Sequence, residues 1–169
     1  LMEEILKAFA AGETNYPPSD GMLVLRQAVA DFTAREYGVR YPVASTLIAS
    51  GARPLLYAAY MCVANPGDIV VYPAPSWNNN HYVTLARAKG IDVPTLSENG
   101  FQPTLAQLAP HIPSAQLIAL NTPLNPSGTV MKADDLRAIA QAVVDENQKR
   151  SKSGRRHLFL LFDQVYGSL

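Results

Sequence analysis

Four short segments carry the groups with chemistry to offer. Residues 50–54 read SGARP. Small residues running into a proline mark a helix start, where the backbone N–H groups of Gly51, Ala52 and Arg53 can meet an anion that the helix dipole also favours. Residues 73–77 read PAPSW, and the two prolines stiffen the loop that holds Trp77, the single tryptophan, whose indole suits stacking on a flat ring. Residues 121–128 read NTPLNPSG. Two Asn, two Pro and one Gly fixed within eight positions arise by chance on the order of once in 10⁴ chains or rarer, and Asn125 adds an amide donor. At residues 163–166, Asp163 closes an apolar run and Tyr166 comes three residues later. A carboxylate there is costly to bury unless a cation or a set of donors meets it. Each segment also has a plainer reading: a tight turn, a tryptophan filling core, a loop rich in turn formers, and an aspartate capped by the next turn.

These segments need elements to bring them together. Apolar runs at 46–49, 69–72, 117–120 and 158–162 read as buried strands, and a weaker fifth at 91–96 is interrupted by Pro94. Helical spacing appears over 22–37, closed by Gly38, and then over 54–64, 79–89 and 132–147. Residues 1–11 read as the end of a helix closed by Gly12, and residues 15–21, NYPPSDG, are dense in turn formers that mark a loop. The basic stretch 149–156 reads as a solvated loop. Strands alternating with helices predict an α/β fold of three layers, a mostly parallel sheet flanked by helices. In such a sheet the ligand crevice lies outside the carboxyl ends of the strands, where all four segments fall. We expect 1–21 to form a helix end and loop, and 22–169 to form part of one larger domain.

The chain has 169 residues, 48% hydrophobic and 17% charged, with Lys+Arg 14 against Asp+Glu 14. A zero balance offers no footprint for nucleic acid or an anionic membrane. The longest apolar run, 55–64, is about half a membrane span. One cysteine, Cys62, excludes an internal disulfide framework, and its place in an apolar helix reads as core. Glu3 and Glu4 stand where a secretory signal carries positive charge. These features predict a cytoplasmic protein. His81, His111 and His157 lack metal-ligand spacing, and no Gly-x-Ser-x-Gly elbow is present.

A ligand needing all four segments has a phosphate, a flat ring for Trp77, a ring oxygen for Asn125 and Tyr166, and a ring cation for Asp163. Pyridoxal phosphate has these groups, and an aspartate beside its pyridine nitrogen favours the protonated form.

The same residues resemble the class I and II aminotransferases, pyridoxal-phosphate enzymes of fold type I. The resemblance runs along nearly the whole chain: Tyr16, Pro18 and Gly21 before Leu25 and Arg26; Ser50 to Ala52; Asn65, Pro66, Gly67 and Asp68 before Trp77; residues 121–128; and Asp163 with Tyr166. It implies that Gly51, Ala52 and Arg53 offer backbone groups to the cofactor phosphate and Trp77 lies on the ring. It also implies that Asn125 and Tyr166 hold the phenolic oxygen and Asp163 the pyridinium. The tyrosine matching Tyr16 reaches the phosphate of a neighbouring subunit in this family, which implies a homodimer.

The chain departs from the family pattern twice. Gln164 stands where the family often has an acidic residue, which affects local hydrogen bonding more than the reaction. The family's Schiff-base lysine and its substrate-binding arginine lie downstream of the Asp and Tyr pair, whereas Lys7, Lys89, Lys132, Lys149 and Lys152 all precede it. The 169 residues are therefore expected to be an incomplete cofactor domain that does not turn over by itself. The resemblance implies transfer of an amino group between an amino acid and a 2-oxo acid. Its alternatives are a C–S lyase or an enzyme like aminocyclopropane-carboxylate synthase, or an aminotransferase-like sensory domain of a transcription regulator.

Overall fold

Among the described residues every strand pairing is parallel, and helices separate successive strands in sequence. The computed structural model describes residues 1–167. Contacts divide it into two units, 1–51 and the part from Ala52 on, a division later than the turn expected at residues 15–21.

In the first unit, α1 (Met2–Ala10) is followed by α2 (Leu23–Tyr37), which ends at Gly38 in the left-handed conformation, φ 69°, as a C-cap glycine permits. Arg26 on α2 organises the unit: its guanidinium pairs with Asp20 and donates to the carbonyls of Thr46 at 2.8 Å and Val43 at 2.9 Å. The strand expected at 46–49 is not formed. Its backbone is committed elsewhere, the Thr46 carbonyl to Arg26 and the Ile48 N–H to the Asp20 carbonyl at 3.1 Å, so no ladder is available to it.

The second unit is the α/β body. It runs α3 (Ala52–Val63), β1 (Ile69–Ala74), α4 (Asn79–Leu85), β2 (Lys89–Pro94), α5 (Leu105–Leu108), β3 (Ala115–Asn121), α6 (Ala133–Lys152) and β4 (Phe159–Asp163). The sheet order is β2-β1-β3-β4. All seven residues of β3 are buried, the continuous apolar pattern of a strand covered on both faces. Residues alternate along the strands between two cores. Val71, Ile118 and Leu120 pack with α5 and α6 through Leu108, Ile139 and Val143. Val70, Leu117 and Ala119 pack with α3 and α4 through Tyr60, Tyr82 and Val83. This is the expected three-layer arrangement. Each fully buried aliphatic side chain contributes about 1.5–3 kcal/mol of transfer free energy.

Several boundaries differ for identifiable reasons. Helix α4 stops at Leu85 because Lys89 and Gly90 join the sheet opposite Ile69 and Val70. Pro94 is tolerated because β2 is an edge strand and the proline is its last residue. Helix α6 continues through Lys152, so half of the basic stretch is helical. Within it, Arg150 is only 2% exposed, donating to the Glu146 carboxylate at 2.9 Å and to the Ile112 and Ala115 carbonyls at 2.9 and 2.7 Å. Cys62, expected in the core, is exposed on α3. Among the described residues no helix is long and apolar enough to cross a membrane, and no group of three or more His, Cys, Asp or Glu is placed to hold a metal.

Candidate active site

Parallel strands end at one edge, and β1, β3 and β4 each lead there into one of the segments singled out from sequence. After β1 the chain passes Pro75 and Ser76 to Trp77; β3 ends at Asn121 and leads to Asn125; β4 ends at Asp163 and leads to Tyr166. The register puts Asn121 opposite Asp163. That match is reinforced by side chains. Asn121 Nδ2 donates to the Asp163 carbonyl at 3.1 Å, and the Asn125 N–H donates to Asn121 Oδ1 at 2.9 Å. The first asparagine of the motif thus splices two strand ends together, and the second stands over the splice. Asn125 Nδ2 in turn donates to the Tyr166 hydroxyl at 3.1 Å.

A cleft of about 330 Å³ opens among these ends, lined by Ala52, Arg53, Leu56, Trp77, Tyr82, Asn125, Asp163, Val165 and Tyr166. It falls at the lower end of the range for small-molecule sites. Ala52 and Arg53 open α3, where first-turn N–H groups have no partner within the helix. Trp77 is 53% exposed, which removes the core-filling reading of its indole. The cleft holds one carboxylate and one guanidinium. Among the described residues, neither Asp163 nor Arg53 belongs to an ion pair. Asp163 accepts one backbone hydrogen bond, from Val165 at 3.2 Å, so the capped-aspartate reading is also true of it. That bond does not restore what burial removes: desolvation raises the Asp163 carboxyl above the usual carboxylate range, with the Val165 N–H opposing in part.

Of the residues singled out from sequence, Ala52, Arg53, Trp77, Asn125, Asp163 and Tyr166 line this one cleft. Gly51, with φ +101°, directly precedes them as the last residue of the first unit, and Tyr16 also lies in that unit. Leu56, Tyr82 and Val165 were not foreseen as lining residues; only Tyr82 carried a signal, as an aromatic within the helical pattern after Trp77. A second hollow of about 440 Å³ shares Asn125 and Tyr166 with the cleft and is otherwise lined by the 123–130 loop.

The family model for aminotransferases of class I and II matches residues 1–169. The chain belongs to this family. It is 29% identical over 170 residues to a probable aspartate/prephenate aminotransferase of Aquifex aeolicus, covering 98% of this chain and 40% of that protein. It is 32% identical over 159 residues to an aspartate/prephenate aminotransferase of Cereibacter sphaeroides, covering 93% and 40%. Among solved structures, the aspartate aminotransferase of Thermus thermophilus with maleate superposes with a TM-score of 0.87 at 29% identity over 98% of this chain and 41% of that one. The aromatic aminotransferase of Pyrococcus horikoshii gives 0.85 at 27% identity over 98% and 42%. The chain therefore spans about 40% of the length of the aminotransferases it matches.

Proposed function

We propose that the intact protein is a pyridoxal-phosphate-dependent aminotransferase that moves an amino group between an amino acid and a 2-oxo acid. The observation that carries this reading is the pair of unneutralised opposite charges in one cleft, Asp163 and Arg53 with the start of α3, beside an exposed indole. A ligand with an anion, a flat ring and a ring cation answers all three features. The residues present fit the family's cofactor on this ground. When bound, that group supplies an electron sink for the carbon bearing the amino group.

The chain's own residues have separable tasks. Asp163, short of solvation, gains most from a cation at its carboxylate and so holds a proton on the ring nitrogen. The Asn125 amide and Tyr166 hydroxyl, already 3.1 Å apart, offer adjacent donors to the ring oxygen. Ala52 and Arg53 present backbone N–H groups to the phosphate, whereas the Gly51 N–H, expected to join them, donates instead to the Ala49 carbonyl at 2.8 Å. Trp77 covers a ring face, and the neighbouring hollow at Asn125 and Tyr166 leaves room for the amino acid. The family's covalent lysine and its carboxylate-binding arginine would come from the remainder of the intact protein. Tyr16 would reach the phosphate of a partner subunit, making the assembly a homodimer. A cytoplasmic location accords with the single cysteine.

The test is to load the intact protein with pyridoxal phosphate, supply single amino acids with a 2-oxo acid acceptor, and identify products by mass spectrometry. Aspartate is tried first, on the names of the relatives. Transfer predicts one new amino acid for each oxo acid formed from the donor. Release of ammonia or formation of a ring product would replace this reading with elimination or cyclisation, and saturable cofactor binding with no turnover of any amino acid would favour a sensory role.

A further inference from the structure

Trp77 poses a positioning problem. Its indole is half in solvent, so packing does not fix it. Among the described residues, the segment 75–77 makes no backbone-to-backbone hydrogen bond either. What ties the segment to the body is a chain of side-chain hydrogen bonds, buried at Tyr60 and Asn79 and part-buried at Ser76. Tyr60, in α3 and fully buried, donates its hydroxyl to Asn79 Oδ1 at 2.6 Å; Asn79, the first residue of α4, donates Nδ2 to Ser76 Oγ at 3.0 Å. Ser76 is the residue before Trp77. The Tyr60 ring also lies 5.4 Å from that of Tyr82, which lines the cleft. Between Trp77 and α4, Asn78 takes the left-handed conformation at φ 61°, turning the chain so that Asn79 faces back toward Ser76.

We propose that Tyr60 is a positioning residue for the cofactor, acting through Asn79 and Ser76 to hold the Trp77 indole at the angle and height that ring stacking requires. The inference rests on the pyridoxal-phosphate reading of the cleft. A buried phenol on an amide acceptor is a strong fixed point, because losing the bond strands both polar groups in the core. The same α3 that carries Tyr60 opens with Ala52 and Arg53, so the phosphate end and the stacking face of the site are referenced to one rigid element.

The test uses the intact protein, its Tyr60→Phe and Ser76→Ala variants, and Trp77→Phe as the reference that isolates the Trp77 signal. Without cofactor, acrylamide quenching of Trp77 emission is expected to rise in both variants. With pyridoxal phosphate, the dissociation constant is expected to rise about fivefold, the size of a misplaced aromatic contact, and the visible circular dichroism of the bound ring is expected to weaken. Ser76→Ala leaves the buried Tyr60–Asn79 bond in place, so its effect is read even if Tyr60→Phe folds poorly. Unchanged quenching, affinity and dichroism in Ser76→Ala, with the parent binding cofactor normally, would overturn the proposal. A parent that never binds pyridoxal phosphate would instead overturn the reading of the cleft.

Discussion

Asp163 carries the sharpest pair of opposed predictions. Burial places its carboxyl above the usual carboxylate range, so in the folded protein the ionised form is disfavoured relative to the unfolded chain. This group therefore strengthens folding as pH falls, and its penalty is present in full once pH exceeds the raised folded value. Asp163→Asn in the cofactor-free intact protein is accordingly expected to melt slightly higher than the parent at pH 7. Differential scanning calorimetry should show the gap closing below about pH 4. The same variant is expected to lose about tenfold or more in pyridoxal phosphate affinity, a stability gain set against a functional loss. Trp77→Ala separates differently, losing about fivefold in affinity with little change in melting temperature, because the indole is exposed. The single-residue chemistry was the most legible part of the sequence. Asp163, Asn125 and Trp77 each sit at or shortly after the end of an apolar run, and a parallel sheet gathers the carboxyl ends of its strands at one edge. Tyr60 and Asn79 were not legible, since a buried tyrosine in an apolar helix looks like core until the 2.6 Å bond is seen.

Helices and strands were legible where the pattern is local and hidden where a partner decides. The run at 46–49 has the composition of a strand, but Arg26, twenty residues earlier than Thr46, takes the Thr46 carbonyl for itself. The basic stretch at 149–156 looks solvated by charge alone. Arg150 escapes that pattern because the carbonyls of Ile112, Pro113 and Ala115 and the Glu146 carboxylate wait for it on the inside of α6. Arg150→Ala leaves a buried Glu146 carboxylate without its close partner and is expected to cost about 3–5 kcal/mol, read as a lower urea midpoint of the intact protein. The short α5 was missed although its capping box, Thr104 with Gln107, is written in the sequence. Gly21 is a second fixed point. It holds φ +96°, and a Cβ there would lie 2.6 Å from the Cβ of Ile48. Gly21→Ala is expected to destabilise the first unit by about 1–3 kcal/mol, visible as faster proteolysis within residues 1–51.

The fold class came from the alternation of strands and helices, and the two cores on opposite faces of the sheet realise it. The family came from residues spread along the chain, and the family model matches all of it. The 40% share of the relatives' length leaves turnover, donor and assembly to the intact protein. If Tyr16 serves a neighbouring subunit, Tyr16→Phe and Asp163→Asn subunits mixed in one dimer should complement differently from either homodimer, which activity against mixing ratio would reveal. As proposed, Ala52, Trp77, Asn125, Asp163 and Tyr166 would surround a phosphorylated pyridine. A crystal structure of the intact protein grown with pyridoxal phosphate measures this directly. The ring nitrogen is expected about 2.8 Å from an Asp163 carboxylate oxygen, with Trp77 on the ring face and the phosphate at the start of α3. A ring bound elsewhere, or one whose nitrogen faces away from Asp163, would contradict that arrangement.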